Sequence, residues 1–266
     1  MRLAFCITVK NRSRCKVDYE DSTPFLQHAA GKIEPSPYPT HTVELEDGKL
    51  VLPLLPKMLR SLVALKRPED DWVIVVTDFQ STDANVAEVL YTEVGEKVPW
   101  TVHRITDWPW FDRGGGLKKA AEIAETKYNA DAVFFMDADL EFKSREIVDW
   151  CYTVLEKKLF FYPIFFAFAD PLHERGFWRD TSYGNFAGLL SEYKKTAGWM
   201  HNISWGWEDR ALADSIATDY KARMNVPGFC HQWHPMQWDF RVSEYPVKDY
   251  LFKQAAVAQL PEASQL

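Results

Sequence analysis

The sequence predicts an α/β fold, a single doubly wound and mostly parallel sheet flanked by helices. Continuous apolar runs end in polar, Asp-rich turns, and helical patterns lie between them. The chain has 266 residues, 47% apolar and 26% charged, which suits one α/β unit of up to about 250 residues. Runs without polar alternation mark strands covered on both faces, as in a parallel sheet between helices.

Leu3 to Val9 (LAFCITV) is the first run, closed by Lys10-Asn11-Arg12-Ser13. Residues 13–53 form an excursion rich in Pro and His, in which Glu46-Asp47-Gly48-Lys49 is a hairpin turn. It reads as an insertion, either structural decoration or a lid or partner surface. Leu54 to Leu65 follows Pro53 and sets Leu55, Met58, Leu59 and Leu62 on one helical face. Trp72 to Thr77 (WVIVVT) is the second strand, ending in DFQSTD, and Asp83 is the expected cap of a helix over Ala84 to Val94. After the glycines at 114–116, Leu117 to Ala124 is helical. Ala132 to Met136 (AVFFM) is the third strand, and Ser144 is the expected cap of a helix through Leu155. This order implies right-handed crossovers, with ligands at the carboxyl ends of the strands. Residues 1–253 read as one domain and 254–266 as a frayed or disordered tail.

Composition narrows the function classes. With 31 basic against 38 acidic residues, a formal charge of -7, binding to long nucleic acids is disfavoured, while a local cationic pocket for a phosphate-bearing small molecule is still allowed. The longest apolar stretch, Leu159 to Ala169, contains Pro163 and falls short of the about 18 residues of a spanning helix. No transmembrane segment is expected, which leaves only peripheral association with a membrane. The first nine residues read as a buried strand rather than a secretory signal. Four scattered cysteines without a CxxC pair argue against structural zinc and against a disulfide framework, so a reducing cytoplasm is the expected location.

Three constellations carry chemistry. In Asp137-Ala138-Asp139 two carboxylates two residues apart follow an apolar strand and share a side of the extended chain. Such close like charges need a cation, and a hard divalent ion that also meets a diphosphate supplies one; the bland reading is a solvated loop. In Trp205-Gly206-Trp207-Glu208-Asp209-Arg210, carboxylates at a helix N-terminus are favoured by the dipole alone. The flanking aromatics add a platform for a sugar ring beside a proton acceptor. In Cys230-His231-Gln232-Trp233-His234-Pro235, two of the seven histidines follow an apolar stretch. One could complete the Asp-x-Asp site and tilt its preference from magnesium towards manganese, or both could be structural.

Together the segments FCITVKNR, VIVVTDFQSTD, FDRGGGLKKAAEIA, FFMDADLEF, WGWEDRAL and FCHQWHP resemble the GT-A glycosyltransferases of the family 2 type. The likeness is to the branch with chondroitin-polymerase domains, β-1,4-galactosyltransferases and polypeptide GalNAc-transferases. It covers most of residues 3–12 and 54–235. It departs at GLKKA, where the family usually has Asn or Ala, and in the length of the 13–53 excursion. The resemblance implies a GT-A fold and a UDP-sugar donor, its uracil and ribose held by Val9, Asn11, Arg12 and Asp78, and its nucleotide faced by Arg113, Gly116 and Lys118. It implies that Asp137 contacts ribose and metal, that Asp139 binds Mn2+ (or Mg2+) directly and that His231, rather than His234, completes the site. Asp209 becomes the base, Glu208 an orienting carboxylate, and Trp205 and Trp207 the acceptor platform.

The expected activity is inverting transfer of a hexose or N-acetylhexosamine from a UDP-sugar to a saccharide hydroxyl, as in polysaccharide biosynthesis. Two rivals stay open: sugar-phosphate nucleotidyl transfer, which normally carries a glycine-rich loop where KNRSR stands, and a non-catalytic nucleotide-sugar or carbohydrate-binding module.

Overall fold

The computed structural model describes residues 1–17, 33–108, 110–201 and 208–234. In chain order its strands and helices are β1 (Leu3–Val9), β2 (Cys15–Val17), β3 (Glu34–Pro35), β4 (Glu44–Glu46), β5 (Lys49–Leu52), α1 (Leu54–Ala64), β6 (Trp72–Asp78), α2 (Val86–Glu93) and β7 (Trp100–Arg104). There follow α3 (Arg113–Tyr128), β8 (Ala132–Asp137), β9 (Leu140–Phe142), α4 (Glu146–Glu156), β10 (Phe160–Phe168), β11 (Arg175–Arg179), β12 (Phe186–Leu189), α5 (Leu190–Tyr193), α6 (Glu208–Asp214) and β13 (Lys221–His231).

The three runs expected to be buried strands form the parallel centre. β1 lies between β6 and β8, and β7 extends the parallel set beyond β6. Every residue of β1 and β6 is buried, which is why neither run needs polar alternation. Antiparallel strands then widen the sheet, giving the order β3-β11-β10-β12-β8-β1-β6-β7. β13 pairs in parallel with β10 and antiparallel with β9. The fold is thus a mixed, mostly parallel sheet with helices on both faces.

Side-chain alternation assigns those faces. Leu3, Phe5 and Ile7 of β1 pack with Leu55, Met58, Leu59 and Leu62 of α1, Leu90 of α2 and Ile147 and Cys151 of α4. Ala4 and Cys6 point the other way and meet Leu117, Ala120 and Ala124 of α3 and Leu212 of α6. No helix among the described residues is long and apolar enough to cross a membrane. All four cysteines are buried and none forms a disulfide.

Two local expectations change. Asn85, not Asp83, caps α2, its side chain accepting from the Ala87 N–H. Asp83 instead accepts from the Ser13 and Arg14 N–H groups at 2.7 and 2.8 Å, tying the start of the excursion to the end of β6. The three glycines are also not a loop before a helix, for α3 begins at Arg113 and runs through them. Asp112 caps this helix through the Gly115 N–H. Within the excursion, β2, β5 and β4 make a separate three-stranded sheet, and β4 and β5 form the expected hairpin, with Asp47 and Gly48 at positive φ.

Candidate active site

The carboxyl ends of β1, β6 and β8 lie side by side, with Val9 opposite Asp78 and Thr8 opposite Asp137. At the first two ends, Asn11 adopts a left-handed conformation (φ 51°) and accepts from the Thr82 N–H at 2.8 Å. The backbone carbonyl of Val9 accepts from the Phe79 N–H. Asp78, buried, accepts from the Ser81 N–H at 2.9 Å. Beside it opens a cavity of about 300 Å³ lined by Asp78, Ser81, Thr82, Asn85, Val86 and Arg104. Arg104 was not singled out in the sequence, because a lone arginine at the end of a half-buried strand carries no local signal.

Beyond β8, Asp139 meets both histidines of the CHQWH segment. His231 Nε2 lies 3.4 Å from Oδ1 and His234 Nε2 3.1 Å from Oδ2, with Arg12 Nε at 3.9 Å. The sequence expectation chose His231 over His234; the structure brings both to one carboxylate. β13 explains this convergence: His231 is its last residue and pairs with Leu140, next to Asp139. The Gln232 N–H then donates to the Asp139 carbonyl at 2.7 Å, and its side chain donates to the carbonyls of Leu54 and Leu140. Gln232, unremarked in the sequence, thus fixes this short segment, while Phe165 stacks against His231.

This donor set fits a divalent ion. One ligand atom from each of Asp139, His231 and His234 lies within 4.8 Å of the others. Asp139 Oδ1 is buried without a hydrogen-bond partner among the described residues, an arrangement that is costly unless something pairs with it. Burial pushes His231 down to about 4 against the pull of Asp139, so its imidazole is neutral at pH 7, the state that ligates. Burial alone would raise Asp139, but the neighbouring His231, His234 and Arg12 hold it well below the usual carboxylate range.

Asp137 does not join this cluster. Arg113 Nε donates to its Oδ1 at 2.6 Å and Asn185 Nδ2 to its Oδ2 at 2.9 Å. Each carboxylate oxygen of Asp137 thus accepts one hydrogen bond, which anchors the turn and leaves a lone pair on each oxygen. Arg113 also donates to the Gly184 carbonyl at 2.6 Å, lies 3.8 Å from Glu208 and stacks over Trp199. Burial opposes its charge, yet Asp137 and Glu208 raise its pKa. Glu208 is buried and Asp209 half-buried at the start of α6. Burial raises the Asp209 carboxyl above its ordinary value, with Arg113 pulling the other way.

Of the other expected donor contacts, Gly116 is buried: a Cβ there would sit 2.8 Å from Phe79 and 2.9 Å from Thr77 Oγ1, and closer still to Thr8 Oγ1. It serves the close approach of α3 to the strands. Lys118 is exposed on α3. Trp205 and Trp207 lie outside the described residues.

No protein-family model matches the sequence, and no curated protein is similar to it in sequence. Solved structures do match. A 1–349 fragment of S. aureus TarS in complex with UDP-GlcNAc superposes with TM-score 0.57 at 11% identity, covering 88% of this chain and 59% of that one. The chain thus spans less than two-thirds of that fragment, and it covers 41% of the longer TarS structure at TM-score 0.56 and 12% identity. Glucosyl-3-phosphoglycerate synthase from Mycobacterium tuberculosis, in complex with Mn2+, UDP and glucosyl-3-phosphoglycerate, matches with TM-score 0.51 at 14% identity, over 94% of this chain and 79% of that one. The chain has the GT-A fold of the nucleotide-diphospho-sugar transferases.

Proposed function

We propose that the protein is a metal-dependent, inverting glycosyltransferase that moves a hexose or N-acetylhexosamine from a UDP-sugar to a saccharide hydroxyl. The observation that supports this most is the meeting of Asp139, His231 and His234 at the carboxyl edge of the parallel sheet, where ligands of doubly wound folds bind. Two structural neighbours were solved with UDP-GlcNAc, and with Mn2+ and UDP, respectively.

Each group then has a task. The cavity at Asp78 and Arg104 takes the uridine, its polar floor facing the base and ribose. Held by Asp139, His231 and His234, a divalent ion would neutralise charge on the departing diphosphate; two imidazoles beside one carboxylate favour manganese over magnesium. Asp209 accepts the proton of the acceptor hydroxyl, whose oxygen forms the new bond to the anomeric carbon as the bond to the diphosphate breaks. The electron pair leaves with UDP. Its raised pKa makes Asp209 a stronger base than an exposed carboxylate. Glu208, against Arg113, orients rather than accepts. Attack from the face opposite the leaving group inverts the anomeric centre.

UDP release measured over UDP-Gal, UDP-GalNAc, UDP-GlcNAc and UDP-Glc with manganese tests the reading, with Asp139→Asn as the control. Release from one donor, lost in the variant, supports it. Metal-dependent binding without release would favour a nucleotide-sugar-binding module, and a product carrying the intact nucleotidyl group would favour nucleotidyl transfer.

A further inference from the structure

A second polar cluster surrounds Glu141 of β9. Glu141 stands two residues beyond Asp139, about 7 Å along an extended chain, and pairs across the sheet with Cys230, the neighbour of His231. Its carboxylate is shared by two ammonium groups, Lys143 Nζ at 2.9 Å and Lys57 Nζ at 3.2 Å. Lys57 also lies 3.5 Å from His41 Nδ1. His41 stacks on His173, and His173 lies flat on Phe168, with ring centroids 3.8 Å apart.

Among the described residues the cluster carries more positive than negative charge. Two lysines face one carboxylate, an excess of one positive charge among these groups, and their side chains are only 17% and 23% exposed. Half-buried ammonium groups normally have full counter-charge, because desolvation of an unmatched ion is expensive. His173 is 3% exposed and its Nδ1 has no hydrogen-bond partner among the described residues. The aromatic stack holds both imidazoles in place, so these groups are preorganised beside the lysines.

We propose that Lys57, Lys143, His41 and His173 form a site for an oxyanion, a phosphate ester or a carboxylate, carried by the acceptor. The assignment to the acceptor rests on the glycosyl-transfer reading of the adjacent centre; the binding of an anion does not. Glu141 keeps the two ammonium groups together, and an incoming oxyanion takes up the unmatched charge.

The test is histidine-ring NMR on the full chain, free of donor and metal, titrated with inorganic phosphate and, separately, acetate. The His41 and His173 signals are assigned from His41→Gln and His173→Gln. Saturable shifts of both rings are expected. Lys143→Gln should weaken phosphate binding roughly three- to tenfold, as removal of one nearby charge implies, and Glu141→Gln should tighten it. Tighter phosphate would identify a phosphate ester, and tighter acetate a carboxylate. Ring signals that do not respond to either anion would overturn the site. So would an affinity indifferent to Lys143→Gln, or an equal loss in Arg60→Gln, which changes an exposed charge on α1. Failure of the glycosyl-transfer reading would show separately, as absence of metal-dependent UDP release from every donor.

Discussion

Arg113 donates to Asp137 at 2.6 Å, and through this contact the first residue of α3 is locked to the last residue of β8. The same guanidinium faces Glu208 at 3.8 Å, so a single half-buried cation joins the Asp-x-Asp turn to the acids that open α6. Arg113→Met should leave two acids short of their partner and cost about 1–3 kcal/mol, between the cost of an exposed pair and that of a fully buried one, because Asp137 is 31% exposed. Urea denaturation checks this. A loss below about 1 kcal/mol, in the range of exposed pairs, would show that the bridge does not hold the site together.

Asp139→Asn is expected to abolish manganese-dependent UDP binding with the fold intact. Since the structure places both histidines on this carboxylate, His231→Gln and His234→Gln should each weaken manganese binding. Calorimetry separates the cases, and undiminished affinity in His234→Gln would restore the assignment of His231 alone.

For Asp209→Asn, turnover should fall by roughly 10²–10⁴ while donor binding survives, since the amide keeps the shape but cannot accept the proton. The pH dependence follows from the raised pKa. Asp209 works only when ionised, so the rate should fall with decreasing pH through a midpoint above the ordinary carboxylate value. Stability has the matching sign. A carboxyl raised in the folded state favours folding below its unfolded pKa and loses that contribution as pH rises through the folded value. Asp209→Asn should therefore be more stable than the natural protein at neutral pH, with the difference vanishing in acid. Thermal melts across pH measure this.

Gly116→Ala should destabilise by about 1–3 kcal/mol, as overpacking does, because its methyl group would press on Thr77, Thr8 and Phe79. A lowered melting temperature is the readout. An unchanged melt with weakened UDP binding would instead return Gly116 to the nucleotide contacts expected from the sequence.

Local pattern was enough to identify the parallel centre, since Leu3 to Val9, Trp72 to Thr77 and Ala132 to Met136 are apolar without alternation and only a strand buried on both faces tolerates that. The inward face of α1 was legible for the same reason: a 3.6-residue period is a local property, and Leu55, Met58, Leu59 and Leu62 carry it. Asp139 could be singled out because the turn follows its strand directly. Tertiary structure alone decided its partners. His234 and Gln232 reach Asp139 because β13 ends beside β9, and Asn185 reaches Asp137 because β12 runs antiparallel to β8. Neither pairing leaves a periodic trace in the chain. Side-chain periodicity reports which face an element buries, whereas the residues that meet at a strand end depend on strand order, set by contacts between segments about 50 to 100 residues apart, as is usual for non-local sheets.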